Sequence, residues 1–104
     1  MSDYVIAKDI KPFLDEEGRL TALPGKNKKK LCALYYLATK LDAEAQWNEE
    51  QISILLDDLT TFHDSATLRR ELFNKRLLHR TDDGKRYWRE KDLPDEAEFI
   101  ASHI

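Results

Sequence analysis

Apolar residues recur every three or four positions through the middle of the chain, which is the spacing of amphipathic helices. Segment 25–41 opens with lysines and is then apolar on nearly all sides, which is typical of a helix at the centre of a core. Segments 48–59 and 65–77 each carry one apolar stripe, and the stripe of the second segment consists of Ala66, Leu68, Leu72, Phe73 and Leu77. A four-residue turn separates these two segments. The pattern therefore predicts three helices, of which the first is central.

The pattern changes from helix to strand after residue 77. A short run, Leu77 to Thr81, leads into Asp82-Asp83-Gly84, which is a turn signal, and the aromatic-rich run Lys85 to Arg89 returns as a second strand. An extended segment at Gln46-Trp47 is expected to pair with this hairpin. With a three-residue loop, Leu78 faces Trp88, and two like charges, Arg80 and Arg86, face each other near the tip. A two-residue loop would change every pair.

The predicted order is helix, short strand, helix, turn, helix and two-stranded wing. This order predicts an α+β, mainly α fold, namely a winged helix-turn-helix at residues 25–91. Residues 1–24 are expected to add an N-terminal helix, over 3–14 and broken near Pro12, that packs on the core or makes a dimer contact. Residues 92–104 are expected to add a short C-terminal helix, and a frayed tail is the alternative.

Two features at the start of the third helix give local predictions. Asp64 or Ser65 is expected to cap the helix by accepting a hydrogen bond from a free backbone amide. Arg69 falls inside the apolar arc, so it needs an acidic partner, and Asp57 or Asp58 on the preceding helix is the expected one. On the second helix, Asn48 and Gln51 are expected to form a capping box.

Composition places the chain among soluble, globular, single-domain proteins. It has 104 residues, of which 36% are charged and 41% hydrophobic. No apolar run approaches the roughly 20 residues of a membrane span. One cysteine, Cys32, fits a reducing compartment, and the first residues lack the pattern of a signal peptide, so we expect a cytoplasmic protein without membrane contact.

Charge is banded along the chain, although the net charge is only −3. Residues 25–41 hold five lysines and no acid, and residues 65–91 hold nine basic and four acidic groups. Residues 42–64 hold seven acids and neither Lys nor Arg. The two basic blocks are able to form one electropositive face, and ordinary charge balance within a fold is the alternative.

The basic face makes duplex DNA the leading candidate partner, with a role in transcriptional regulation. The candidates for base contact are the polar residues on or just before the third helix: His63, Thr67, Arg70 and Asn74. The candidates for phosphate contact are the lysines before the central helix and the basic residues of the hairpin: Lys28, Lys29, Lys30, Arg80, Lys85, Arg86 and Arg89. Glu71 lies on the base-facing side and counts against this hypothesis.

Two other function classes remain open. The first is a dimerisation or interaction module that binds a second copy or a partner regulator without touching DNA, with exposed aromatics as anchors: Tyr35, Tyr36, Trp47 and Tyr87. The second is an enzyme or metal site. The three histidines, His63, His79 and His103, lie on different elements, and Cys32 has no evident base, so we expect neither catalysis nor a metal or other cofactor.

Three long stretches carry a family resemblance. They are FLDEEGRLTALPGKNKKKL at 13–31, HDSATLRREL at 63–72 and DGKRYWR at 83–89. Through them the chain resembles a bacterial family known as domain of unknown function 2087, over most of its length. The resemblance implies a small stand-alone protein or the C-terminal part of a helix-turn-helix regulator. It implies no defined active site.

Overall fold

The computed structural model describes residues 10–104, which form four α-helices and a two-stranded antiparallel sheet. The helices and strands are α1 (Asn27–Thr39), α2 (Glu49–Asp58), α3 (Ser65–Asn74), β1 (Leu78–Arg80), β2 (Tyr87–Arg89) and α4 (Glu96–His103). A short 3₁₀-helix, Lys11–Phe13, precedes them. The fold is therefore α+β and mainly helical, as predicted. The part of the predicted N-terminal helix before residue 10 lies outside the described residues.

Helix α1 is the centre of the core, as its sequence predicted. All eight residues from Leu31 to Ala38 are buried, so the helix is covered on every side along its middle. Cys32 lies among them, buried in the core. Within residues 10–104, no helix has the length and apolar character needed to cross a membrane.

Helix α2 begins at the predicted capping box. The Asn48 side chain accepts a hydrogen bond from the Gln51 amide at 2.8 Å, and the Gln51 side chain accepts one from the Asn48 amide at 2.9 Å. Between the C-cap of α2, Leu59, and the N-cap of α3, Asp64, lie four residues, as predicted. The predicted side-chain cap of α3 is wrong, because neither Asp64 nor any other side chain caps that end by a hydrogen bond.

The segment before α1 is tied to the turn between α2 and α3. The Leu20 amide donates to the Leu59 carbonyl, and the Thr61 amide donates to the Leu20 carbonyl, both at 2.9 Å. Leu20 also bridges Leu14 and is fully buried. These bonds hold the turn that fixes how α3 leaves α2.

The hairpin forms as predicted, but its predicted register is wrong. Leu78 pairs with Arg89, His79 with Trp88, and Arg80 with Tyr87. The predicted pairs of Leu78 with Trp88 and of Arg80 with Arg86 are therefore shifted by one residue. The two arginines do not face each other across the strands.

An additional loop residue causes the shift. Thr81 pairs with Arg86 through a backbone bond of 3.0 Å, which leaves four residues, 82–85, in the loop. The Asp83 carboxylate holds this loop, because it accepts from the Thr81 hydroxyl at 2.6 Å and from the Lys85 amide at 3.0 Å. Gly84 takes a left-handed φ of 70° in the same loop.

Two further elements complete the body. Trp47 and Tyr87 exchange backbone hydrogen bonds of 2.9 and 2.7 Å, so the extended segment before α2 pairs with β2 as predicted. The predicted C-terminal helix forms as α4 and packs on α1 through Phe99, which is 2% exposed and lies 5.5 Å from the Tyr35 ring.

Candidate nucleic-acid interface

A groove of about 340 Å³ lies between α3 and the hairpin. We call it the arginine groove, and its lining residues are Ala66, Arg69, Arg70, Phe73, Asn74, Arg80 and Tyr87. Three of the seven are arginines, and the other four are uncharged. Arg70 and Asn74 were predicted to face bases and Arg80 to hold a phosphate, so the fold brings part of both predicted sets into one cleft.

Arg69 forms the inner wall of the arginine groove. Its Nη1 donates to the Glu49 carboxylate and to the Tyr87 hydroxyl, each at 3.1 Å, and its guanidinium lies 5.8 Å from the centre of the Tyr87 ring. The predicted partner, Asp57 or Asp58, is wrong, because the first turn of α2, and not its last, faces this part of α3. The side chain is 20% exposed, and its Nε is buried without a hydrogen-bond partner.

Arg80 crosses the groove towards α3. Its guanidinium lies 5.1 Å from the centre of the Phe73 ring, which is a cation–π contact. Phe73 is 39% exposed, and Ala66 is exposed as well, so their predicted place in the buried stripe of α3 is wrong. At about 100° per residue, Phe73 and Ala66 lie roughly 140–160° around the helix from the buried Leu68, and therefore on its opposite side.

Arg70 and Arg80 keep their full charge available to a ligand. Both side chains belong to exposed residues. Neither forms an ion pair with any residue in the described range 10–104. The groove therefore holds two cations without an internal counter-ion beside a third, Arg69, that shares Glu49.

Glu71 does not face the arginine groove. Its carboxylate lies 2.8 Å from the Lys30 ammonium and 3.6 Å from that of Lys75, and its side chain is 18% exposed. The hydrogen bond from Lys30 lowers the pKa of the Glu71 carboxyl, and the charges of Lys30 and Lys75 add to the effect. The acid that counted against a nucleic-acid contact is thus neutralised on the side of α3 that faces α1.

Two predicted phosphate ligands are engaged within the protein instead. Lys30 is the ion-pair partner of Glu71. Arg89 donates to three backbone carbonyl groups, those of Glu90 at 2.9 Å, Leu41 at 3.3 Å and Lys91 at 3.3 Å. Arg89 therefore ties β2 to the end of α1, and we remove it and Lys30 from the candidate interface.

The other candidates lie outside the groove. Lys28 and Lys29 are exposed in the first turn of α1, Lys85 is exposed in the hairpin loop, and Arg86 is exposed just after that loop, with its Nη1 3.5 Å from the Gln46 side-chain oxygen. His63 is exposed in the turn before α3, with a left-handed φ of 48°, and Thr67 is half-buried on α3. None of these six residues lines the arginine groove.

The aromatic anchors proposed for a protein–protein interface are mostly unavailable. Tyr35, Tyr36 and Tyr87 are 6%, 9% and 4% exposed, so their predicted exposure is wrong. The Tyr35 hydroxyl donates to the Pro94 carbonyl and the Tyr36 hydroxyl to the Gly18 carbonyl. Trp47 is partly buried against the core. These rings stabilise the fold of the single chain.

Two of the three histidines, His79 and His103, have separate partners within the chain. His79 lies 2.9 Å from the Glu90 carboxylate, and His103 Nδ1 lies 2.9 Å from the Phe99 carbonyl. Among the described residues, no three side chains of the His, Cys, Asp or Glu type converge as metal ligands would.

Sequence reasoning missed four of the seven groove residues: Ala66, Arg69, Phe73 and Tyr87. Only Arg69 left a signal, since an arginine inside an apolar arc must meet other groups at the edge of the core. Phe73 was indistinguishable from a core residue, because an aromatic at helical spacing is more often buried than part of a binding site. Tyr87 was predicted only as an exposed anchor for a partner protein.

Comparison with known proteins places the chain in a family. A family model for a protein described as uncharacterized and conserved in bacteria matches residues 19–89, which hold α1, α2, α3 and the hairpin. No curated protein and no solved structure matches. The matched range covers most of the chain, including every residue of the arginine groove. The chain therefore belongs to the bacterial family named domain of unknown function 2087.

Proposed function

We propose that this protein binds double-stranded DNA as a winged helix-turn-helix and acts in transcriptional regulation. The element order supports the proposal, since α2, a four-residue turn, α3 and a hairpin follow one another, and Trp47 pairs with Tyr87 of β2 through an isolated β-bridge. In such proteins the second helix of the pair enters the major groove, and the hairpin beside it contacts the backbone.

The arginine groove is the observation that carries the proposal. It places Arg70 and Asn74 of α3 beside Arg80 of the hairpin. Arginine binds the edge of guanine through two hydrogen bonds, and asparagine binds adenine in the same way. Arginine on a flanking element suits the phosphate backbone. One cleft thus offers both kinds of contact that a sequence-reading surface needs.

The surrounding charges support the same face. Glu71 and Phe73 lie about 160° apart around α3. The contact of Lys30 with Glu71 therefore sets the first turn of α1 on one side of α3, while the arginine groove lies on the other. Lys85 and Arg86 are exposed in the hairpin that bounds the groove and add positive charge to that side of α3, whereas the exposed Lys28 and Lys29 belong to the first turn of α1.

The test is duplex binding by a variant of the groove and by a variant of equal charge elsewhere. Fluorescence anisotropy with a random pool of labelled duplexes at low salt would measure the dissociation constant. We expect the wild type to bind and Arg70→Ala with Arg80→Ala to weaken binding by about tenfold or more, because each lost contact is worth roughly 1–3 kcal/mol.

Lys40→Ala with Lys91→Ala is the matched control, because it removes two exposed positive charges from outside the groove. We expect it to weaken binding by less than about threefold, as a change in long-range attraction alone would. Absence of binding by the wild type, or equal losses in the two double variants, would contradict the proposal.

A further inference from the structure

We propose that the arginine groove is a discrete binding site for one phosphate group, held by Arg70 and Arg80 against the wall formed by Arg69. Arg70 then contacts phosphate, and Asn74 is the groove residue left to contact a base. The inference deepens the proposed function and rests on it in one respect, the source of the phosphate in the cell. The site itself is defined by geometry. A diffuse positive surface would attract phosphates without localising one of them.

Charge is the first reason. Arg70 and Arg80 line the groove without an ion-pair partner anywhere in residues 10–104. Two like charges that line one cleft repel each other, and an anion between them removes that cost. The positive charge of the site selects anions. The guanidinium group also matches a phosphate through paired hydrogen bonds, so the site should prefer phosphate among anions.

Preorganisation is the second reason. Arg69 is fixed by hydrogen bonds to Glu49 and Tyr87, so its position costs no further ordering when a ligand arrives. Arg80 lies over the Phe73 ring, and its Nη1 lies only 3.1 Å from where a Cβ on Gly84 would be. The ring therefore draws the Arg80 guanidinium to the α3 side of the groove, and the absence of a side chain at Gly84 leaves room for it there.

Size is the third reason. The groove volume of about 340 Å³ is many times the roughly 30 Å³ that one water occupies in the liquid. It accommodates a phosphate together with part of an attached sugar. Such a phosphate group occurs in the backbone of a polynucleotide and in a free phosphorylated metabolite, and the experiments below distinguish these two ligands.

The first arm uses inorganic phosphate as the probe and the full chain. Phosphate would be titrated against chloride at constant ionic strength and followed by amide and arginine side-chain NMR signals. We expect saturable shifts at Arg70 and Arg80 with a dissociation constant of about 1 mM, typical of a small anion held by a few charged hydrogen bonds. Shifts that do not saturate, or that chloride reproduces, overturn the inference.

Three variants localise the site. Arg80→Ala is expected to weaken phosphate binding by about tenfold, and Arg80→Lys by less, because lysine keeps the charge and loses the paired geometry. Lys40→Ala removes an exposed charge from outside the groove and is expected to change the affinity by less than about twofold. Equal effects of Arg80→Ala and Lys40→Ala would show diffuse attraction and overturn the inference. Arg80→Lys keeps the test valid if the alanine variant folds poorly.

The second arm separates the sources and the two proposals. Phosphate that saturates the groove and displaces duplex DNA supports both. If phosphate binds saturably and the wild type does not bind duplex DNA, the phosphate site is supported and its ligand in the cell is a phosphorylated metabolite. The same result contradicts the proposed function. Duplex binding that Arg80→Ala weakens, without saturable binding of inorganic phosphate, leaves the proposed function standing and overturns the phosphate site.

Discussion

At the scale of single residues, Arg76 has an unfavourable backbone conformation. Its φ is 63°, in the left-handed region that favours glycine. It follows the C-cap of α3, and two bonds close the end of the helix, from the Leu77 amide to the Leu72 carbonyl and from the Arg76 amide to the Phe73 carbonyl. Glycine is the usual residue at this position of such a helix end, so arginine here costs stability.

We therefore expect Arg76→Gly to stabilise the protein by about 0.5–1 kcal/mol, because relief of the left-handed strain exceeds the greater freedom of glycine in the unfolded chain. Urea unfolding at neutral pH would measure it. Arg76→Ala is the control, since it removes the side chain and keeps the strain. Equal stabilities of the glycine and alanine variants would show that the backbone is not strained at this position.

Glu71 gives a prediction about pH. Its pKa in the folded protein is below the ordinary value of 4.5, because of the hydrogen bond from Lys30 and the charges of Lys30 and Lys75. A carboxyl of this kind contributes stability above its unfolded pKa and loses that contribution as the pH falls through the folded pKa. The Glu71 contribution should therefore be complete at neutral pH and absent in strong acid.

Glu71→Gln should then be less stable than the wild type by about 1 kcal/mol at neutral pH. The difference should shrink below pH 4.5 and vanish once the folded carboxyl is protonated. Urea unfolding of both proteins along a pH series checks this, and the difference isolates Glu71 because the other acids titrate in both proteins. A difference that persists unchanged into acid would contradict the account of this ion pair.

At the scale of elements, the sequence predicted those features of helices and strands that depend on residues close together in the chain. The all-round apolar face of α1 and the Asn48–Gln51 capping box were readable from sequence, because both depend on residues within a few positions of each other. The hairpin register was not, since it depends on how many residues Asp83 holds in the loop. The partner of Arg69 was not either, because it depends on how α2 crosses α3.

The docking of α4 also belongs to this scale. An eight-residue helix has little stability alone, so its contact with α1 through Phe99 must hold it. We expect Phe99→Ala to release α4, with loss of amide hydrogen-exchange protection in residues 96–103 and little change in the hairpin. Ile104→Ala, at a residue that is 71% exposed, should leave protection unchanged. Retained protection of α4 in Phe99→Ala would contradict this account.

At the scale of the whole molecule, sequence predicted which surface is basic but not which cations are free. Arg70, Asn74 and Arg80 were identified by helix face and charge, and the fold places all three in one groove. Lys30 and Arg89 were selected by the same reasoning and turned out to be engaged within the chain, with Glu71 and with backbone carbonyls. Such partners come from packing between elements, which spacing along a sequence does not specify.

The salt dependence of duplex binding tests the central claim most directly. If α3 and the hairpin contact DNA through the free cations, log K should fall linearly with log of the salt concentration, with a slope of about −4 to −6. Arg80→Ala should make that slope shallower by about one unit, and Lys91→Ala should not. A slope near zero, or one that Arg80→Ala leaves unchanged, would contradict a DNA-binding role for this surface.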